Sequence, residues 1–256
     1  MARALAALSI GPLEPSGRDG VLADVKTFSA LGLHAAAAVT AIGETAMEAN
    51  VVAAQIEAVL GSASIDAVKL TCPEDSNVLE TIAGLLARHD VQMLVLDPAG
   101  ATSGAAAIDV LKARLLPLAL VVVPNIPEAQ ALTGLQIDSW EDMREAARAI
   151  AAIGPANVVI KGGKRAGVHV TDLLFDGSDY RDVTAQRVQP AAAPGAGTTF
   201  AAALAASLAK GETVQHSVAA AKAYVTKALQ STYDLGGTTA AMHHFYRYWQ
   251  PSAPWQ

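Results

Sequence analysis

The stretch from Gly195 to Thr199 holds the residue types best suited to chemistry in this chain of 256 residues. Its two glycines allow backbone N–H groups to converge on one point, and a helical pattern at 200–208 follows directly. Because a helix begins with the positive end of its dipole, the spacing predicts a site for an anion such as a phosphoryl group. Where such a site would usually have a proton acceptor, the chain has Thr198, whose hydroxyl does not ionise near neutral pH.

Polar side chains also follow three apolar runs of strand length. These side chains are Asp97, Asn125, Glu128 and Lys161. Taken singly, each is explained by a turn or a helix cap. The carboxyl ends of parallel strands meet at one edge of a sheet, however, and together these residues predict a nucleotide site at that edge.

The elements that must position these residues alternate between apolar strands and amphipathic helices. Strand patterns lie at 4–10, 35–41, 67–70, 93–96, 120–123 and 157–160. Helical patterns lie at 22–31, 48–60, 76–88, 105–116, 127–132 and 139–152, with Ser139 as a cap. This alternation predicts an α/β fold whose mostly parallel sheet is covered by helices on both faces.

The last third of the chain follows a different pattern. Two strand patterns at 168–175 and 179–188 surround an Asp-Gly pair and predict a hairpin. Helical patterns at 200–210 and 213–229 come next. Without a low-complexity linker, residues 1–256 are expected to form a single domain.

Composition narrows the classes of function. The net charge of −6 argues against a nucleic-acid partner. Hydrophobic residues make up 52% of the chain, but no run approaches the ~20 apolar residues of a membrane span. The apolar start is expected to be a buried strand rather than a signal peptide. The single cysteine, Cys72, excludes an intramolecular disulfide, suits a reducing cytoplasm and is more often a buried small hydrophobe than a nucleophile.

The segment 124–134, which begins Pro-Asn-Ile-Pro-Glu, resembles the Asn-x-x-Glu segment of the ribokinase superfamily in the form typical of vitamin kinases. Further matching segments are 15–17, Gly20, 23–32, 96–98, 161–163, 171–177, 221–225 and 244–246. Over essentially its whole length the chain resembles the hydroxymethylpyrimidine/phosphomethylpyrimidine kinases of thiamine synthesis. The resemblance implies a ribokinase-like three-layer fold, a cytoplasmic homodimer, and transfer from ATP with Mg²⁺ to a pyrimidine or pyridoxal-like alcohol.

The same resemblance implies roles for individual residues. The expected anion hole is formed by Gly195, Ala196, Gly197 and Thr198. The residues expected to bind ATP are Asn125, Glu128, Lys161 and Lys222. The expected Mg²⁺ ligands are Asp97 and Glu128. The residues expected to bind the acceptor substrate are Gly11, Glu14, Thr45 and Cys72.

The departures from the family pattern fall on the acceptor side. Thr198 stands where relatives carry a cysteine or aspartate that acts as base, and Pro194 replaces a histidine. Arg18 and Asp19 bring bulk and charge to a segment that the family keeps small. Further replacements are Thr45 near a missing glutamine, Thr71-Cys72-Pro73 for Gly-Met-Leu, and Thr102 for a lysine. Two hypotheses follow: a divergent kinase, or a non-catalytic paralogue that binds a small molecule or regulates.

The carboxyl-terminal residues predict structural roles. His243 and His244 are adjacent, and on a helix they would point apart, so packing or surface roles are expected rather than a metal site. The aromatic residues of this region are expected to anchor the terminal segment to the body of the protein. They are Tyr246, Tyr248, Trp249 and Trp255.

Overall fold

The computed structural model describes residues 3–163, 166–188, 194–236 and 240–250, and within them nine strands form one sheet. The strands are β1 (Ala6–Leu13), β2 (His34–Ile42), β3 (Thr45–Ala46), β4 (Ala67–Thr71), β5 (Leu94–Asp97), β6 (Val121–Val122), β7 (Asn157–Ile160), β8 (His169–Phe175) and β9 (Tyr180–Gln186). Their order is β3-β2-β1-β4-β5-β6-β7-β8-β9. Neighbours from β2 to β7 pair in parallel, whereas β3, β8 and β9 pair in antiparallel fashion.

Helices cover both faces of this sheet. They are α1 (Gly20–Ala30), α2 (Ala49–Leu60), α3 (Ser76–Arg88), α4 (Ala105–Val110), α5 (Ile126–Thr133), α6 (Trp140–Ala151), α7 (Ala196–Ala209) and α8 (Val214–Gln230). One core lies between the sheet and α2 to α6, and a second lies between the sheet and α1, α7 and α8. Successive residues of β1 alternate between these cores: Leu8 belongs to the first and Ala7 to the second. The expected three-layer α/β architecture is therefore confirmed.

Most of the sequence-based elements are present, with corrected boundaries. The helix expected from residue 200 begins at Ala196, so the glycine loop supplies its first turn. The helix expected at 105–116 leaves α geometry after Val110 and continues as a π-helical and then a 3₁₀ segment to Leu118. Ser139 caps α6 as expected, since its side chain accepts a hydrogen bond from the backbone of Asp142. No helix in the described parts of the chain is long and apolar enough to cross a bilayer.

His243 precedes a turn and His244 begins it, which corrects their expected placement on a helix. His243 and His244 are both buried, and each makes a hydrogen bond inside the protein. Burial explains why both imidazoles serve packing rather than a surface role.

The aromatic residues near the carboxyl terminus anchor it as expected. Tyr248 donates a hydrogen bond of 3.0 Å to the carbonyl of Ala30 at the end of α1. Tyr246 packs against a tyrosine ring of α8, and Trp249 packs against a histidine ring at 4.2 Å between centroids. Trp255 lies outside the described residues.

Candidate active site

The glycine loop turns directly into α7. Gly195 has a left-handed backbone with φ of 85° and forms the N-cap of the helix. A Cβ atom at this position would lie 2.1 Å from the carbonyl oxygen of Arg18, so both the conformation and the close packing require glycine. The first N–H groups of an α-helix have no acceptor inside the helix. The backbone of Ala196, Gly197 and Thr198 therefore offers donors to an anion.

A lysine side chain lies against this first turn. A Cβ atom at Gly197 would be 3.4 Å from Nζ of Lys161, which places the ammonium group beside the helix start. The same Nζ lies 3.5 Å from Oδ1 of Asp97, and both side chains are largely buried. Lys161 follows β7 and Asp97 ends β5, so the fold brings distant residues to one point. The site thus combines backbone donors, a cation and a carboxylate.

The Asn-x-x-Glu segment forms a reciprocal cap at the start of α5. The Asn125 side-chain oxygen accepts from the backbone N–H of Glu128 at 3.0 Å, and a Glu128 carboxylate oxygen accepts from the backbone N–H of Asn125 at 2.7 Å. Lys161 pairs with Asn125 across a parallel bridge and donates its backbone N–H to Pro124 at 2.8 Å. The cap therefore fixes the Glu128 carboxylate next to the lysine segment.

A cavity of about 370 Å³ opens beside these residues. Lys222 lines it and forms a 2.8 Å ion pair with Asp172. The other oxygen of Asp172 accepts the backbone N–H of Gly162 at 2.9 Å, which fixes the carboxylate. Polar residues Gln186, Arg187 and Thr226 also line the cavity. The larger apolar side chains of the lining are Val170, Val188, Phe200, Val225 and Leu229. An apolar cleft with a few fixed polar groups suits a planar base such as adenine.

The segment after β1 forms the other side of the site. The Glu14 carboxylate accepts the backbone N–H groups of Ser16 at 2.9 Å and Arg18 at 3.2 Å. Hydrogen bonds from Ser16 lower the pKa of Glu14 below its usual range. This acid therefore shapes the 14–18 loop, whose Arg18 carbonyl touches Gly195.

The three other residues expected to bind the acceptor lie in three different environments. A Cβ atom at Gly11 would lie 3.1 Å from Cβ of Thr71, so glycine is required there for close packing of β1 on β4. Thr45 is exposed on the short strand β3, where it pairs with Ile42 of β2. Ile42 in turn pairs with Leu13 at the end of β1. Cys72 is 1% exposed and belongs to the hydrophobic core. Burial raises the pKa of its thiol well above the usual range, and we therefore assign Cys72 to packing rather than to substrate contact.

Comparison with known proteins identifies the family. Residues 14–243 match the family described as phosphomethylpyrimidine kinase. The chain belongs to this family. A hydroxymethylpyrimidine/phosphomethylpyrimidine kinase of Rhizobium meliloti is 39% identical over 95% of this chain and 98% of its own. The protein of the same description from Bacillus subtilis is 32% identical over 93% of this chain and 94% of its own.

Solved structures of similar fold support the placement in this kinase family. The ADP complex of a Bacillus subtilis pyridoxal kinase has a TM-score of 0.90 and 29% identity, covering 96% of this chain and 100% of that one. A Staphylococcus aureus pyridoxal kinase with AMP-PCP and pyridoxal has a TM-score of 0.89 and 30% identity, covering 96% of each chain. The expected ribokinase-like fold and the expected phosphotransferase class are thereby confirmed. No match favours the alternative of a non-catalytic paralogue.

Several residues at the site of this phosphomethylpyrimidine kinase family member were not singled out from the sequence. Lys26 in α1 donates a short hydrogen bond to the carbonyl of Gly17. Thr199 shares a hydrogen bond of 3.1 Å with Nε2 of His244. Burial, and then the charge of Lys26, lower the pKa of His244 to about 3, so the imidazole is neutral at physiological pH. The sequence signal for Lys26 was the presence of a lysine within a mostly apolar helical pattern.

A buried polar network joins β1, β4 and α1 beneath the segment that follows β1. Lys69 in β4 pairs with Asp24 in α1 at 2.8 Å and also donates to the Thr71 hydroxyl. Ser9 in β1 donates to the same Asp24 oxygen at 2.6 Å. Sequence patterns gave no pairing for these residues, because the partners lie on three separate elements.

Proposed function

We propose that this protein is an ATP-dependent kinase of thiamine synthesis that phosphorylates a hydroxymethylpyrimidine-type acceptor at the hydroxymethyl or phosphomethyl stage. One observation carries the proposal: Nζ of Lys161 lies against the first turn of α7, at the mouth of a cavity that Lys222 lines. This arrangement accommodates a nucleoside in the cavity and its terminal phosphates at the helix start. The ADP and AMP-PCP complexes of the pyridoxal kinases support ATP as the donor.

Catalysis by these groups depends on positioning and charge. Phosphoryl transfer spreads negative charge over the oxygens of the moving group, and preorganised donors stabilise that charge. The N–H groups of Ala196, Gly197 and Thr198 would bind the moving group, and Lys161 would neutralise the adjacent phosphates. Asn125 and Lys222 would position the nucleotide from either end. The chain itself need form no covalent intermediate.

The residues present also fit Mg²⁺. Mg²⁺ in kinases is commonly bound by one or two carboxylates together with substrate phosphates, rather than by a cage of protein ligands. Asp97 and Glu128 offer two carboxylates: Asp97 lies 3.5 Å from Nζ of Lys161, and Glu128 forms a cap with Asn125, which pairs with Lys161 across a parallel bridge. Within the described ranges, no group of three or more His, Cys, Asp or Glu forms a separate metal site. Bound there, Mg²⁺ would neutralise phosphate charge during transfer.

The acceptor is proposed to lie between the 14–19 segment and the start of α7. Gly11, Glu14 and Thr45 are proposed to line this side, and the Thr198 hydroxyl would donate a hydrogen bond to the acceptor. The proposal includes a homodimer acting in the cytoplasm, which the family resemblance supports. Light scattering of the purified protein tests the dimer, because a monomer mass would contradict it.

The test of the proposed reaction uses purified protein, ATP and Mg²⁺ with each acceptor alone: hydroxymethylpyrimidine, its monophosphate and pyridoxal. We expect ADP and a phosphorylated pyrimidine in equal amounts, measured by mass spectrometry. Lys161→Met should lower kcat by about 10²–10³, the usual cost of removing one donor to transition-state charge. Lys210→Met, the same change at the exposed far end of α7, is the matched control. ATP-induced stabilisation without ADP formation would favour the non-catalytic alternative.

A further inference from the structure

The first turn of α7, residues 196–199, carries no side chain that could act as the proton acceptor for transfer to an alcohol. Thr198 occupies that place, and its hydroxyl does not ionise near neutral pH. The neighbouring Thr199 hydroxyl contacts His244, whose pKa of about 3 makes it a very weak base. Residues 189–194, which precede the loop, contain neither histidine nor an acid.

The nearby carboxylates already have partners. Asp97 faces Lys161, Glu128 caps α5, and Asp19 accepts the backbone N–H of Gly20 at 2.7 Å as the cap of α1. Each of these groups is used in holding the site together. The backbone of Asp19 also lies beside Gly195, so any experiment must include Asp19.

The two possible acceptors differ in their need for a base. When a hydroxymethyl oxygen attacks the γ-phosphorus, the bond to the β–γ bridging oxygen breaks, ADP takes the electron pair, and the hydroxyl proton must go to a base. A phosphomethyl acceptor attacks through a phosphate oxygen that is already negative, since the second pKa of a phosphate ester is about 6. The same bonds form and break, and no proton is removed. A site without a base therefore retains only the second reaction at full rate.

The charges of the acceptor side suit this second reaction, because it brings two anions together. Arg18 lies in the 14–19 segment: its carbonyl touches Gly195, and its Nε donates to Ser16 at 2.8 Å. Lys26 binds the carbonyl of Gly17, and its charge lowers the pKa of His244, the partner of Thr199. The Lys26 charge thus lies within electrostatic reach of His244, which contacts Thr199 in the first turn of α7, while Arg18 lies on the loop whose backbone touches Gly195.

We infer that this site is specialised for an acceptor that already carries a phosphate, and that a free hydroxymethyl group is phosphorylated far more slowly. The inference rests on the proposed function and specifies which of its acceptors the site favours. Loss of the base slows the first reaction, and Arg18 with Lys26 binds the phosphate of the preferred acceptor.

The test compares kcat/KM for hydroxymethylpyrimidine and for its monophosphate, each supplied alone with ATP and Mg²⁺. We expect the monophosphate to be favoured by about 10²–10⁴, the usual contribution of general base catalysis. A ratio within tenfold would overturn the inference and leave the proposed kinase function intact. Absence of product with both acceptors would contradict the proposed function itself.

Variants separate the two causes of the preference. Thr198→Cys supplies an ionisable group and should raise the rate with the free alcohol at least tenfold relative to the monophosphate. Thr198→Ser is the matched control, because serine is as poor a base as threonine and should keep the original preference. Arg18→Gln should raise KM for the monophosphate at least fivefold more than KM for the alcohol. If Asp19→Asn selectively abolishes turnover of the alcohol, Asp19 is a relocated base and the inference is wrong.

Discussion

Two lysine–aspartate pairs of the same length lie in different parts of this kinase. Lys222 and Asp172 pair at 2.8 Å in the wall of the cavity that we propose binds the nucleotide, where both side chains retain some exposure. Lys69 and Asp24 also pair at 2.8 Å, but their side chains are 0% and 1% exposed between β4 and α1. The first pair can meet a ligand, whereas the second can act only through the residues around it.

The partners of each aspartate sharpen the difference. Asp172 uses both oxygens, one for Lys222 and one for the N–H of Gly162. Asp24 receives Lys69 and Ser9 on one oxygen, while its Oδ1 makes no hydrogen bond to any described residue. Burial raises the pKa of Asp24 accordingly. Two pairs of equal length therefore have different roles. Lys222 and Asp172 form part of the cavity wall, whereas Lys69 and Asp24 hold β4 against α1.

The largest effect is expected when the buried pair is broken. Lys69→Met leaves the Asp24 charge without its cation, and removing one partner of a buried pair costs about 3–5 kcal/mol of unfolding free energy. Urea unfolding measures the loss. Combining Lys69→Met with Asp24→Asn removes the unpaired charge and should recover much of the stability. A loss below about 1 kcal/mol for Lys69→Met would show that the buried pair is not a structural support.

Acidification should weaken the acceptor side through His244. The unfolded imidazole takes up a proton as the pH falls through about 6.5, but the folded one stays neutral down to about 3. Stability present above pH 6.5 is therefore lost towards pH 3, and about 2 kcal/mol should disappear between pH 7.5 and pH 5.0. Urea unfolding at both pH values measures this difference.

His244→Gln keeps an acceptor for the Thr199 hydroxyl but removes the titrating group, so it should lose most of that pH dependence. His216→Gln is the control, because the His216 side chain is 80% exposed. If His244→Gln and the unchanged protein lose the same stability on acidification, another group is responsible.

Breaking the pair in the cavity wall should affect binding more than folding. Lys222→Met should raise KM for ATP about tenfold, equivalent to about 1.4 kcal/mol, because the cavity loses the Lys222 ammonium group and retains the negative charge of Asp172. KM for the acceptor should change less than twofold. Stability should fall less than for Lys69→Met, because Asp172 keeps the Gly162 N–H. A parallel rise in both KM values would contradict the assignment of this cavity to the nucleotide.

A surface ion pair is expected to contribute least to stability. Arg114 and Glu80 form an ion pair whose side chains are 47% and 46% exposed. Solvent screening limits such pairs to about 0–1 kcal/mol, so Arg114→Ala should leave both urea stability and the two KM values nearly unchanged. A loss of unfolding free energy above about 1 kcal/mol would mean that side-chain exposure does not predict how much these ion pairs contribute to stability.

Much of the fold and part of the site follow from local sequence. Apolar periodicity located the strands. The alternative interpretation of Asn125 as a helix cap also agrees with the structure, where Glu128 completes the cap. The start of α7 was placed too late because glycine and threonine are weak helix formers, and the tertiary contact of Gly195 with Arg18 fixes the first turn instead.

The features that local sequence did not predict depend on contacts between distant segments. The Lys69–Asp24 pair joins two elements whose separate patterns give no sign of pairing. The lining of the nucleotide cavity comes from β8, β9, α7 and α8, so no single motif describes it. The burial of Cys72 likewise depends on how β4 packs in the centre of the sheet. Sequence spacing identifies residues that share one loop, but not residues that meet across the core.

The backbone contact between Arg18 and Gly195 has a consequence for the timing of folding. It joins the first tenth of the chain to its last quarter, and closing so long a loop is slow compared with forming local structure. During synthesis, β1 to β7 can emerge and pair before residue 195 leaves the ribosome. The proposed anion hole can form only after residue 199 has been made, so a shorter chain lacks it even where most of the sheet has formed.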